Sequence, residues 1–286
     1  MQSRSGFCGA PDQLVISSIF PHFGEEPPIS GTRGSGTVFF SHCTLKCCYC
    51  QNYQISHEHK GDLYTVSELA DEFLNLEKKG CHNINLVTAT HFLPWVISAL
   101  KEAAFKGLQI PIVYNCGGYE TEEIISILNG IVDIYLPDMK YGNNESAECY
   151  SRASDYVEVN QKAVRAMFRQ VGVLKTDSSG IAYRGMCIRH LVLPNNKSSS
   201  IQILQFLKSV FDPQDISLSL MAQYKPLYMA DRFAEINRTI SIEEYKPIRD
   251  LFSNEGFYVY FQDISEMDNE FVIDFTKRKN EALTGE

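Results

Sequence analysis

Four of the nine cysteines in this 286-residue chain fall within eight residues, in Cys43-Thr-Leu-Lys-Cys47-Cys48-Tyr-Cys50. Three of them follow the spacing C-x₃-C-x₂-C. With nine cysteines among 286 residues, chance places three at preset positions on the order of 0.01 times per chain, so the spacing carries information. Closely spaced thiolates are soft ligands that wrap an iron–sulfur centre, and a four-iron cluster closed by protein alone takes four of them. Adjacent Cys47 and Cys48 point apart, and Cys48 has no place in the spacing. Cys43, Cys47 and Cys50 therefore leave one iron open to a group that is not protein, as catalytic zinc sites keep one open position. The alternative is a structural zinc held by Cys43, Cys47 or Cys48, Cys50 and a histidine such as His42 or His57. Zinc prefers paired C-x₂-C hairpins, and the sequence contains no second pair.

The elements that must position this cluster follow from hydrophobic periodicity. Strands are expected at 37–40, 83–88, 111–114, 131–136, 187–193 and 216–221, with a last apolar run at 257–261. Helices are expected at 66–77, from about 94 to 105, opening in the acids of 120–123, and at 156–171, 200–210 and 242–252. Strand and helix alternating about six times is the pattern of parallel βα units in an open sheet or a full or partial barrel, whose site lies at the carboxyl ends of the strands. The polar segments 42–52, Thr88-Ala-Thr-His91, Asn115-Cys-Gly-Gly118, Pro137-Asp-Met-Lys140 and Ala222-Gln-Tyr224 each follow such an end, and Arg189 lies within the fifth strand. One mouth should gather them all. Glu25-Glu26, just before the first strand, reads as surface charge or as a pair brought to that mouth.

Cys43-x₃-Cys47-x₂-Cys50, with aromatic Tyr49 before the last cysteine and the whole placed after a first strand, resembles the radical S-adenosylmethionine (SAM) superfamily. Cys50-Gln-Asn52 resembles the Cys-His-Asn that ends this motif in pyruvate formate-lyase activating enzymes. The resemblance continues in order from about residue 36 to 262. Pro137-Asp-Met-Lys140 resembles the Asp-x-Lys after the fourth strand, and Ile188-Arg-His-Leu-Val-Leu-Pro194 the fifth-strand segment with a SAM-binding arginine. His22-Phe-Gly-Glu-Glu-Pro-Pro-Ile-Ser-Gly31 and Tyr135-Leu-Pro-Asp138 are similar to segments of a branch of uncharacterised activating-enzyme-like iron–sulfur proteins.

The resemblance implies an α/β fold, a partial (β/α)₆ barrel of the radical SAM type over 34–262, with an N-terminal extension at 1–33 and a polar C-terminal tail at 263–286. It implies a [4Fe–4S] cluster on Cys43, Cys47 and Cys50 whose fourth iron is chelated by the amino and carboxylate groups of SAM. Reductive cleavage then gives methionine and a 5′-deoxyadenosyl radical that abstracts hydrogen, which makes the chain an oxidoreductase. The implied SAM-binding set is Asn52 toward adenosyl groups, Arg189 toward the carboxylate, Asp138 and Lys140 toward the ribose and the amino acid end, and Asn115 at the third strand end. Two positions depart from the activating enzymes. Their Gly-Gly-Glu after the second strand reads Thr88-Ala-Thr-His91 here, where Thr88, Thr90 and His91 supply acceptors but no carboxylate. Gln223 stands where they have a ribose-binding histidine. The implied partners are a glycyl radical enzyme as substrate and flavodoxin or ferredoxin as electron donor, with bases such as Lys46 forming the patch that meets an acidic donor. Radical modification of a small molecule or peptide is the alternative, and a non-catalytic metal-binding module is the reading from another class.

Composition agrees with a globular enzyme. Hydrophobic residues make up 44% and charged residues 21% of the chain, which excludes collagen-like and disordered classes. The net charge of −9 argues against nucleic acid as the main partner. No apolar run reaches the roughly 18 residues of a membrane span. An odd cysteine count excludes complete disulfide pairing, and with no leader at 1–20 the expected compartment is the cytoplasm. Cys81, Cys116, Cys149 and Cys187 read as small buried hydrophobes, and Cys8 as that or the last of an upstream set.

Overall fold

The structure is a computed structural model that describes residues 6–264 and 273–275. The chain opens with β1 (Leu14–His22), makes the one-turn helix α1 (Pro27–Ser30), and returns antiparallel as β2 (Ser35–Phe40). The cysteine loop follows, then the short α2 (Tyr53–Ser56) and β3 (Asp62–Tyr64), which pairs with β1. From there helices and parallel strands alternate: α3 (Val66–Lys78), β4 (Ile84–Val87), α4 (Leu93–Phe105), β5 (Ile112–Cys116), α5 (Glu122–Ile127) and β6 (Ile134–Pro137). They continue as α6 (Asn144–Ser151), α7 (Tyr156–Val171), β7 (Lys175–Thr176), β8 (Ala182–Leu191), α8 (Ser200–Val210), β9 (Ser217–Met221), α9 (Ile242–Asn254) and β10 (Tyr258–Phe261). Pairing follows the path β10-β9-β8-β6-β5-β4-β2-β1-β3, with β7 on β8. The ends of the path, β10 and β3, do not pair, so this is the expected partial barrel of parallel strands with an antiparallel hairpin added at the β2 edge.

The strand period of two sorts side chains between lumen and helices. Outward-facing Val38, Phe40, Leu86, Tyr114, Tyr135, Ile188 and Leu220 pack against Leu69 and Phe73 of α3, Val96 and Leu100 of α4, and Val164 and Met167 of α7. The α3 stripe begins where the sequence predicts, because Thr65 and Glu68 form a capping box, with the Glu68 amide donating to Thr65 Oγ1 at 3.2 Å. Inward-facing residues lie in register around the sheet: Phe39 beside Val87, Val87 beside Asn115, then Asp138 beside Arg189, Arg189 beside Ser219, and Ser219 beside Tyr260. Toward the carboxyl ends of the strands the lumen face carries polar side chains such as Asn115, Asp138, Arg189 and Ser219, where the helix face is apolar. That asymmetry marks where ligands go.

The bottom of the lumen is filled by the chain's own N-terminal segment. Ile29 of α1 is fully buried against Val113, Ile134, Leu136, Ala182 and Cys187, and its carbonyl accepts from Asn83 Nδ2 at 2.8 Å. The plug turns back at Gly31, whose φ is +49° and where a Cβ would lie 2.4 Å from Ile181 Cδ1. Only glycine fits there. Residues within the expected 1–33 extension are thus sheet strand and lumen floor. Of the expected tail, residues 265–272 and 276–286 lie outside the described residues, while Ile273 and Phe275 are buried against Phe20, Phe39, Ile55 and Val87.

Several expectations need correction. The acids of 120–123 do not all open a helix: α5 starts at Glu122 after Thr121 as cap, and Glu120 is buried in the wall behind β5. The polar stretch after β6 contains α6, whose Asn143 side chain caps the Ser146 amide at 2.8 Å. Among the scattered cysteines, Cys81, Cys116 and Cys187 are buried, but Cys149 is exposed and Cys8 half-buried.

Candidate active site

At the carboxyl ends of the strands a cavity of about 230 Å³ is lined by Cys43, Cys47, Cys50, Asn52, Thr88, Asn115, Asp138, Lys140, Arg189 and Gln223 together with residues the sequence reading omitted. Ten of the twelve candidate residues thus share one wall. Thr90 and His91 do not face it. Thr90 Oγ1 is held by Tyr114 Oη at 2.8 Å and donates to Glu120 Oε1 at 3.0 Å, and His91 Nε2 donates to the Ser41 carbonyl at 2.7 Å. A residue pair in this loop cannot point both ways: the side chains that fix it to the wall are lost to the cavity. Thr88 does face inward, with a left-handed φ of +58°. For a β-branched residue that conformation is strained and persists only where neighbours enforce it; here the Thr88 amide donates to the Asn115 carbonyl at 2.8 Å.

The three thiols sit on the loop between β2 and α2, pinned from several sides. Ser151 Oγ donates to Cys47 Sγ at 2.9 Å, the Leu45 amide to Cys43 Sγ at 3.4 Å, and Ser56 Oγ lies 3.2 Å from Cys50 Sγ. Behind Ser151, the hydroxyls of Tyr141 and Tyr49 continue the chain at 2.7 Å each. Burial, followed by the repulsion of the neighbouring sulfurs, pushes Cys43 up to about 12 and Cys50 up to about 11. Burial also raises Cys47, against the pull of Lys140 and Ser151. Metal binding at these thiols must therefore release their protons. Cys48 is buried among Tyr49, Tyr150 and Tyr224 rather than in the cavity wall, and the Cys116 thiol bonds to Glu120.

This donor set fits an iron–sulfur cluster: three soft sulfurs of one loop face one cavity, and Cys116, which also lines it, has its thiol engaged by Glu120. It fits zinc poorly. Among the described residues no three His, Cys, Asp or Glu side chains converge on a point for a single ion. His57 is spent on the Cys47 carbonyl at 3.1 Å, and His42 stacks on His59 at 3.9 Å between ring centroids.

Two ion-pair systems complete the wall. Lys140 bonds Asp138, and although burial works against its charge, Asp138 and the cysteine sulfurs raise its pKa. Tyr156 Oη accepts from the Lys140 amide at 2.9 Å and donates to the Gly117 carbonyl at 2.9 Å, which fixes the strand end. Arg189 Nε donates to Glu26 Oε1 at 2.9 Å, and its Nη2 donates to both Glu25 and Glu26. Burial lowers the guanidinium's pKa, but the two carboxylates outweigh it and raise the pKa well above its usual value. Burial raises the Glu26 carboxyl, and Arg189 overrides that to hold it below the usual range. Arg189 is therefore not a free carboxylate clamp: two glutamates from the plug segment already occupy it. Its partners are legible in the sequence only as a charged pair ahead of the first strand.

Comparisons with known proteins accord with this geometry. Residues 37–178 match the family model of the Radical SAM superfamily. An uncharacterised protein of Methanocaldococcus jannaschii is 30% identical over 258 residues, covering 87% of this chain and 70% of that protein. The crystal structure of HydG, a maturase of the [FeFe]-hydrogenase, superposes with a TM-score of 0.53 at 15% identity, covering 77% of this chain and 48% of that one. The chain thus spans about half the length of that maturase and shares its fold. The structure of native anSMEcpe with bound AdoMet gives a TM-score of 0.48 at 13% identity, covering 77% of this chain and 61% of that one. Among the described residues no helix is long and apolar enough to cross a membrane.

Proposed function

The chain belongs to the radical SAM superfamily, whose members use a [4Fe–4S] cluster and SAM, and from that premise we propose that it abstracts a hydrogen atom from an organic substrate held in the barrel lumen. The observation that carries this reading is the shared wall: the three thiols of the C-x₃-C-x₂-C loop and the strand-end polar residues line one cavity. A bound, reduced cluster would supply the electron for cleaving a carbon–sulfur bond of SAM, and SAM would supply the hydrogen-abstracting group. Cys43, Cys47 and Cys50 hold the cluster and shed their protons to do so. Lys140, kept charged by Asp138, faces the thiols and attracts the carboxylate of the amino acid end. Thr88 and Asn115 offer oxygen acceptors to its ammonium group. Asn52 and Gln223 present donor and acceptor pairs to ribose and adenine. The floor formed by α1 closes the lumen from below, and Ile273 lines the mouth, which narrows the path by which water reaches a radical.

The order of motifs supports an activating-enzyme-like reaction, with a glycine of a partner protein as hydrogen donor and a flavodoxin or ferredoxin delivering the electron. A second reading, modification of a small molecule, is favoured by the plugged floor, which leaves chambers closed below rather than a through-channel. The test is anaerobic reconstitution with iron and sulfide, reduction, and addition of SAM. Cluster uptake, a SAM-dependent change in the cluster's EPR signal and release of 5′-deoxyadenosine are expected; their absence refutes the proposal. A glycyl radical formed on a co-incubated candidate enzyme supports the activating-enzyme version, and its absence with SAM cleavage intact supports the second.

A further inference from the structure

Beside the cofactor cavity lies a second chamber of about 200 Å³, which shares Glu25, Arg189, Met221 and Gln223 with the first and is bounded on one side by Tyr260 on β10. The charged residues on its wall are Glu25, Glu26 and Arg189. Two carboxylates against one guanidinium leave a net charge of −1 at neutral pH, in surroundings where the side chains are no more than 10% exposed. The two carboxylates are not equivalent. Glu26 spends both oxygens on Arg189. Glu25 gives one oxygen to Arg189, and the other is held by the neutral amides of Asn85 at 2.7 Å and Asn115 at 3.4 Å, which orient it without cancelling its charge.

We propose that the second chamber is the substrate site, built for a small molecule carrying a protonated nitrogen that Glu25 receives. The proposal rests on the cofactor reading of the first cavity. A cation balances the excess negative charge of the two carboxylates over one guanidinium, in a chamber that Tyr260 also lines, whereas a neutral or anionic ligand buries that excess unrelieved. The order of charges explains why this carboxylate serves substrate and not cofactor. From the thiols they run Cys47, Lys140, Asp138, Arg189, Glu25, each in contact or electrostatic reach of the next. Glu25 is thus at the far end from the cluster loop and at the junction of the two chambers, where a bound substrate meets the cofactor.

The test uses the reconstituted, SAM-loaded protein and saturation-transfer NMR with paired probes: pentylamine against 1-pentanol, and 1,4-diaminobutane against 1,4-butanediol, at millimolar concentration. The cationic member of each pair is expected to bind and the neutral one not. Glu25→Gln should weaken cation binding about tenfold or more, and by more than it weakens SAM binding followed by the cluster's EPR signal. Glu25→Asp, which keeps the charge, should retain part of it, and iron content with the melting temperature reports whether each variant folds. Equal binding of neutral and cationic probes, no binding of either cation, or an unchanged cation affinity in Glu25→Gln overturns the proposal. A Glu25→Gln variant that loses SAM affinity more than cation affinity also overturns it, by placing the carboxylate with the cofactor. Protein that takes up no cluster or leaves SAM intact fails the proposed function; protein that cleaves SAM but does not discriminate the cations fails this inference alone.

Discussion

Glu120 should make the protein less stable as the pH rises. It stands at the head of the segment before α5, 2% exposed, with Thr90 donating to Oε1 and the Cys116 thiol bonding the carboxyl. Burial pushes this carboxyl from its ordinary 4.5 up to about 7. A raised acid means that the folded state holds its proton over a range where the unfolded chain has lost it. The stability is complete below the ordinary value and drains away as the pH climbs from about 4.5 to 7. At about 1.4 kcal/mol per pKa unit, the whole window is worth about 3 kcal/mol. Glu120→Gln keeps the acceptor for Thr90 and cannot ionise. The variant should match the parent near about pH 5 and exceed it by about 3 kcal/mol near about pH 8, read from denaturant midpoints under anaerobic, reducing conditions. A direct readout is the infrared carbonyl stretch of a protonated acid, titrating near 7 in the parent and missing in the variant. If the two proteins keep the same stability difference at both pH values, or the carboxyl band titrates in the ordinary range, then the wall around Thr90, Tyr114 and Cys116 is not as closed as the structure shows.

Four further outcomes follow from the same structure. Alanine at Cys43, Cys47 or Cys50 should abolish cluster uptake, measured as iron content and visible absorbance, while alanine at Cys48 or Cys116 should leave it intact. Ser151→Ala removes a donor to Cys47 Sγ and so should lower the cluster's reduction potential by roughly 20–60 mV, the equivalent of one net hydrogen bond, in an EPR-monitored redox titration. Arg189→Met leaves two buried carboxylates unpaired and should cost about 3–5 kcal/mol in unfolding experiments, more than Lys140→Met at the more exposed Asp138 pair. Phe73→Ala opens the interface between α3 and the sheet and should cost about 3–5 kcal/mol by the same measurement.

The barrel was legible because its information is local. Periodicity alone separates β2, β4, β5 and β6 from the helices between them, and the capping box at Thr65 sets the start of α3 to the residue. The three thiols were equally legible, since their spacing is itself the signal. What the sequence hid is long-range pairing. The loop 88–91 looks like an acceptor set, yet the choice of which side chains face the cavity depends on Tyr114, Glu120 and Ser41, residues brought up by the fold. Arg189 reads as a free clamp because nothing in its own strand shows that Glu25 and Glu26 arrive from the opposite end of the chain. The floor was invisible for the same reason: the segment from Glu25 to Gly31 carries no periodicity, and its meaning lies in Ile29 finding Val113, Ile134 and Cys187.

The plug also imposes an order on biogenesis. Its residues are translated well before the strands that form the pocket for Ile29, and before the guanidinium that pairs with Glu25 and Glu26. Throughout synthesis the segment has nowhere to go, and closing so long a loop is the slowest kind of contact to form. Seating the plug is therefore a late act that seals an already assembled sheet, so that the lumen is closed below only once the strands through β8 have been made.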